Sequence, residues 1–219
     1  MSNTFGLAIT AETVRAMGRY DHKDTIDQVD CAREAMRLIH AEDKNLDALA
    51  YAWDLKGMYG NGKTSIVLVY NATGDRVTLG DGRDWSGRIY GRQPPRDFQN
   101  GQWIAFLHVR SPSNPNELQA ARVFRGRNVD GRPREFLVSW AIPLQGSQNN
   151  SAYTEIRDAN GFAGWTNVRN NLLRAKLITR SNDNHKCAST ISMGGYWTAE
   201  CIAVLQHQFE PLPDPYART

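Results

Sequence analysis

Cysteine is scarce in this chain, and its placement fits neither a disulfide frame nor a metal site. There are 3, Cys31, Cys187 and Cys201, with no C-x-x-C pair among them. An odd, sparse count without an export leader reads as reduced thiols in a cytoplasmic protein. Cys187 and Cys201 flank neighbouring strand candidates, so they are the pair expected to oxidise first. The opening Met1-Ser2-Asn3-Thr4-Phe5-Gly6 has neither the basic start nor the apolar run of a signal peptide. No stretch approaches the roughly 20 consecutive apolar residues of a membrane span. G-x-S-x-G elbows and H-E-x-x-H helices are also absent. These gaps leave no metal and no cofactor to expect.

Enough apolar material remains for a real core: 41% of the 219 residues are hydrophobic and 10% aromatic. The net charge of +3 is unevenly spread. Residues 1–60 hold 7 lysines and arginines against 10 aspartates and glutamates, whereas residues 61–219 hold 19 against 13. A basic body permits attraction to anionic lipid or another anion.

Gly57-Met58-Tyr59-Gly60-Asn61-Gly62-Lys63-Thr64 matches the phosphate-loop spelling G-x-x-x-x-G-K-[ST]. That motif needs a strand before it and a helix after it. Here Leu46, Leu49, Ala50, Trp53 and Leu55 recur at helical spacing before the loop, and the β-branched run Ser65–Tyr70 follows it. The order is reversed, so no nucleotide is expected. The loop instead marks a boundary between a helical head, residues 1–62, and a β-rich body, residues 63–219.

In the head, Thr10 is placed to cap a short helix through Met17. Thr25-Ile26-Asp27-Gln28 has capping-box spacing and should open a helix to about His40. Asn45 is the candidate cap of the next helix, ending near Tyr59. In the body the apolar period falls to two, and turn signals recur at Asn71–Gly74, Asn100-Gly101, Asp130-Gly131 and Asn160-Gly161. Many short strands at this spacing predict an antiparallel β-sandwich. Residues 163–178 read equally as a helical turn or a loop. The fold class is therefore α+β, an N-terminal helical hairpin packed on an antiparallel β-sandwich.

Two features point to recognition. In residues 81–92, Trp85, Arg88, Tyr90 and Arg92 alternate rings with guanidinium groups, which suits a glycan or a lipid headgroup. Pro94-Pro95 would stiffen that loop. Arg122, Arg125, Arg127, Arg132 and Arg134 cluster around one hairpin, where pairing with the acidic head would account for them. Catalysis is the alternative reading, through a concealed site using His108, His185 or Cys187 with a His/Cys or His/carboxylate pair.

Tyr59-Gly60-Asn61-Gly62, Tyr70-Asn71-Ala72-Thr73-Gly74, Asp84-Trp85-Ser86-Gly87-Arg88-Ile89-Tyr90 and Gln99-Asn100-Gly101-Gln102-Trp103 carry a likeness over residues 5–110. There the chain resembles the plant 23 kDa jasmonate-induced proteins. The resemblance implies a jasmonate- or stress-induced protein of plant defence, of a family with no settled biochemical activity. A looser likeness over residues 64–157, ending in Phe136–Pro143 and Gly146–Tyr153, is to aegerolysin and actinoporin-like β-sandwiches. It implies the sandwich fold and lipid binding. The acidic head is unlike an actinoporin N-terminus, which puts autonomous pore formation in doubt. The combined expectation is a non-catalytic protein whose sandwich loops bind a glycan or anionic lipid headgroup, a protein-interaction module being the further alternative.

Overall fold

The computed structural model describes residues 3–112, 117–143, 149–162 and 164–209. Three helices lead the chain after a two-residue strand: β1 (Thr4–Phe5), α1 (Ala11–Ala16), α2 (Gln28–Arg37) and α3 (Lys44–Tyr59). The body then runs β2 (Thr64–Ala72), β3 (Val77–Ser86), β4 (Arg88–Tyr90), β5 (Asp97–Phe98), β6 (Trp103–Val109), β7 (Leu118–Arg127), β8 (Pro133–Ile142) and β9 (Ser151–Asp158). It closes with α4 (Trp165–Arg174), β10 (Ile178–Asn182), β11 (Cys187–Met193) and β12 (Thr198–His207). The two-residue period that fails at residues 163–178 fails because a helix lies there.

One sheet has the order β1-β6-β2-β12-β11-β10, with β4 also on β6; the other is β5-β3-β7-β8-β9. All pairings are antiparallel except β12 with β2, which is parallel. The expected sandwich is thus mostly, not wholly, antiparallel. The parallel pair explains why β2 reads as a continuous apolar run: all nine of its residues are buried. Its Val67 and Val69 face the second sheet, with Ile104, Phe106, Phe124, Phe136 and Trp140. Its Ile66, Leu68 and Tyr70 face the helices, with Trp103, Ala105, Leu107, Ala48 and Ala52. The outer side of the second sheet is covered by α4, where Val123, Leu137 and Val168 meet.

Polar pins fix the head to the sheet. The Tyr70 hydroxyl donates to the Ala35 carbonyl at 2.7 Å, and the Trp103 indole donates to Ile39 at 3.0 Å. Asn100 donates to the carbonyls of Ile9 and Cys31 at 2.8 and 3.0 Å. Lys44, buried at the start of α3, donates to Gly101 at 2.8 Å and to the Tyr70 hydroxyl at 3.2 Å.

Helix starts depart from the sequence reading. Thr10 caps α1 as expected. The box on α2 is two residues later than expected: Asp27 accepts from the Asp30 N–H, and Asp30 accepts from the Asp27 N–H. Aspartate combines the capping oxygen with a charge that favours the helix N-terminus, which Thr25 lacks. The helix ends at Arg37 rather than His40. Asn45 is not the cap of α3; the helix opens at Lys44 behind Glu42 and Asp43, both in left-handed geometry at φ 57° and 53°.

Three of the cluster's arginines pair within the body rather than with the head. Arg122 meets Asp84 at 2.8 Å, Arg125 meets Glu135 at 2.9 Å, and Arg134 is held by Asp158 and Asp183. All three cysteines are free, as expected, but Cys187 and Cys201 are not placed to oxidise together. Cys187 pairs with His207 and Cys201 with Met193, so six residues separate them along adjacent strands. At about 3.3 Å per residue that is roughly 20 Å, beyond the roughly 7 Å a disulfide spans.

Candidate functional site

Four chain segments meet at one end of the first sheet. Arg88 and Thr64 both pair with Val109, and Thr198 pairs with Thr64, so β4, β2 and β12 start where β6 stops. With strands about 4.8 Å apart, Arg88 lies roughly 14 Å from Thr198 along this row. The loop with the phosphate-loop spelling sits here, between α3 and β2. The geometry that would cradle phosphate is absent, because the helix enters the loop and the strand leaves it. Gly62, at φ +134°, is covered by Arg110, whose Nε lies 2.7 Å from where a Cβ would be. The loop therefore brings Lys63 and Arg110 together.

Above this row the β11–β12 turn carries Gly194-Gly195-Tyr196-Trp197. Tyr196 is 80% exposed and Trp197 56%, next to Trp53 of α3 at 43%. Together with Thr198 and Glu200 they line an open cleft of 820 Å³. The turn is held firmly. Buried Asn150 donates to the carbonyls of Gly194 and Tyr196 at 2.8 and 2.9 Å, and Thr64 N–H donates to Trp197 at 2.8 Å. The Trp53 indole donates to Glu200 at 3.0 Å. Lys63 donates to the Pro143 carbonyl, and its ammonium lies 5.9 Å from the Trp197 ring. Burial pushes the Lys63 ammonium below its usual range. Lys176, just before β10, adds a further cation, while Glu117 and Glu200 supply negative charge. Rigid aromatic surface beside positive charge can take up the face of an apolar group and the anionic part attached to it.

The recognition residues expected from sequence do not form one face. Gly87, at φ +102°, passes the chain from β3 in one sheet to β4 in the other, and a Cβ there would lie 2.7 Å from the Val109 carbonyl. Trp85 therefore packs on Trp165 of α4, ring centroids 6.1 Å apart, on the outside of the second sheet. Tyr90 packs on Tyr59 under the head at 5.3 Å. Arg88 and Arg92 are exposed, and Arg88 shares the end that carries Tyr196 and Trp197.

His108 and Cys187 are likewise apart, while His185 shares the β10–β11 turn with Cys187. His108 is fully buried, accepts from the Trp140 indole at 3.1 Å, and lies 3.7 Å from Asp84. Desolvation drives its pKa down to about 3, so it is neutral at physiological pH. His108 pairs with Ser65, opposite Ala199, whereas Cys187 pairs with His207. Eight residues of β12 separate those levels, about 26 Å at strand rise. Burial, with Asp183 nearby, pushes the Cys187 thiol up to about 12, far from a thiolate at neutral pH. His185 sits on the β10–β11 turn, its backbone N–H bonded to Asp183 at 2.9 Å.

Sequence reasoning passed over Tyr196 and Trp197. A signal was present: two consecutive aromatics on an alternating strand cannot both face the core, and a Gly-Gly pair before them marks a turn.

These features define a helix-capped α+β sandwich with an exposed aromatic turn at one strand end. The family model for Nakanori-like proteins matches residues 5–208, and the chain belongs to that family. It is 34% identical over 212 residues to the 23 kDa jasmonate-induced protein of barley, covering 95% of this chain and 99% of that protein. It is 25% identical over 111 residues to a jasmonate-induced protein homolog of Atriplex canescens, 50% of this chain and 59% of the relative. The crystal structure of the lipid binding protein Nakanori superposes with a TM-score of 0.83 at 23% identity, covering 93% of this chain and all of that one. The likeness first read over residues 5–110 thus extends along almost the whole chain. No helix among the described residues is long and apolar enough to cross a membrane.

Proposed function

We propose that this protein is a non-catalytic, cytosolic binding protein of the plant stress response that docks on lipid headgroups through the Tyr196–Trp197 end of its sandwich. One observation carries the reading: two large aromatic side chains stand in solvent on a turn that Asn150 holds fixed. Tyrosine and tryptophan suit a membrane interface because each joins an apolar body to a polar tip. Arg88, Arg110 and Lys176 at the same end favour phosphate-bearing headgroups, each basic residue near an anionic surface contributing about 1 kcal/mol, while buried Lys63 is held by the Pro143 carbonyl beneath Trp197. The fixed turn keeps the ordering cost of binding low. Nakanori is described as a lipid binding protein; the same ligand class is assigned here on this chain's own residues. Arg88 belongs to this surface, whereas β4 leads away from it to Arg92, and Trp85 and Tyr90 support the fold beside it.

The test is a liposome panel and a glycan array run on the wild type and on Tyr196→Ser/Trp197→Ser. Each aromatic side chain buried contributes about 1.5–3 kcal/mol, so vesicle binding should weaken about tenfold or more in the variant. Glycan binding without vesicle binding, or vesicle binding unchanged in the variant, would overturn the reading.

A further inference from the structure

The opposite end of the sandwich holds a second cleft of 370 Å³, closed by α2, the β7–β8 turn and the last residues of β12. Its walls are Val29, Val129 and Phe209; its cations are Arg33 and Lys186; His207 and Gln208 complete it. No carboxylate lines it among the described residues. Two cations brought to one small cavity without a counter-charge repel each other unless an anion joins them.

The arrangement is built rather than incidental. His207 is 1% exposed, its Nδ1 lying 3.3 Å from the Lys186 carbonyl and its Nε2 3.2 Å from the Gln28 amide nitrogen. Burial pushes its pKa down, so the floor is a neutral imidazole at neutral pH. Lys186 stands at φ +64°, and its carbonyl also accepts from the Gln208 N–H at 2.7 Å, which fixes the turn that presents the ammonium. Arg33 lies 5.7 Å from the Phe209 ring. Among the described residues its ion pair is with Asp30 at 3.8 Å, which already takes Lys23 at 2.7 Å on both oxygens and accepts from the Asp27 N–H; Arg33 also meets the Tyr20 side chain. Exposed Arg127 and Arg132 flank the cleft on the β7–β8 turn, where Asp130 is engaged by Asn128.

We propose that this cleft binds a small phosphate monoester with an apolar body, its phosphate between Arg33 and Lys186 and its body against Phe209, Val29 and Val129. Arginine forks onto two phosphate oxygens while lysine adds a point charge. The volume lies within the range of small-molecule sites, about 300–1,000 Å³. The site is separate from the aromatic turn and does not rest on the lipid reading.

Phenyl phosphate is the probe, with inorganic phosphate and phenol as its two halves, titrated into the full chain by calorimetry and by amide NMR shifts. The expected result is saturable binding of phenyl phosphate, about tenfold or more tighter than either half. Binding should fall about tenfold or more in Arg33→Gln and in Lys186→Gln, a loss corresponding to 1.4 kcal/mol, with thermal unfolding of each variant confirming that it is folded. It should persist in Tyr196→Ser/Trp197→Ser. No saturable binding of phenyl phosphate overturns the proposal. So does equal binding of inorganic phosphate, binding unchanged in both cation variants, or binding lost with the aromatic turn.

Discussion

The Asn150 side-chain amide donates to the Tyr196 carbonyl at 2.9 Å, tying the loop before β9 to the exposed aromatic turn. The same amide donates to Gly194 at 2.8 Å. Asn150→Ala would leave two carbonyls without these donors. It should cost about 1–3 kcal/mol of unfolding free energy and weaken vesicle binding, because the rings would have to be ordered on contact. Urea denaturation and vesicle sedimentation check the two effects; unchanged values for both would remove Asn150 from its role.

The capping shift on α2 is directly measurable. Asp27→Ala should cost about 1 kcal/mol, whereas Thr25→Ala, on an exposed residue without a capping bond, should be close to neutral. Equal losses would restore the box at Thr25.

Lys44 makes the docking of the head sensitive to pH. Burial pushes its pKa down to about 8 from 10.5. Between these values the unfolded chain keeps the proton that the folded chain has released, so stability rises with pH. Lys44→Met removes that term. The wild type should therefore gain on the variant between about pH 8 and 10 in chemical denaturation; a constant difference would contradict it. Comparison with the variant is needed because the buried thiols act the other way.

Those thiols should be unreactive. Burial, its effect increased by Asp30 and Asp27, pushes Cys31 up to about 11, and Cys187 is pushed up to about 12. The raised folded pKa values contribute stability that is complete below the unfolded value and lost as pH rises past it. Stability should fall above about pH 9. At neutral pH a thiol reagent should label none of the cysteines in the native protein and all 3 in denaturant. Rapid labelling of the native protein, or a disulfide seen by mass under non-reducing conditions, would contradict the burial.

The change from head to body was legible at residues 57–64 because the apolar period switches there, and that switch also exposed the false phosphate loop. His108 alternates in sequence with Ile104 and Phe106, a spacing of two that puts it on their side of β6. The parallel pairing of β2 with β12 was not legible, since period gives burial but not partner. Nor was α4: Gly164 offers no side-chain cap and its segment is rich in asparagine. The α2 start was misplaced because Thr25–Gln28 and Asp27–Asp30 share one spacing. Trp85 and Tyr90 looked like one surface because their neighbourhood in sequence hides the sheet change at Gly87. Tyr196 and Trp197 sit on a turn just before β12, where the two-residue period that marks a buried strand face has not begun.

The most direct test of the lipid-docking account is quenching of tryptophan fluorescence by vesicles of bromine-labelled lipid. Trp103 and Trp140 are buried, whereas Trp197 and Trp53 stand at the proposed contact. The account requires quenching on vesicle binding and loss of most of it in Trp197→Phe. Binding to vesicles without quenching, quenching that survives in Trp197→Phe/Trp53→Phe, or no binding to any vesicle would contradict it.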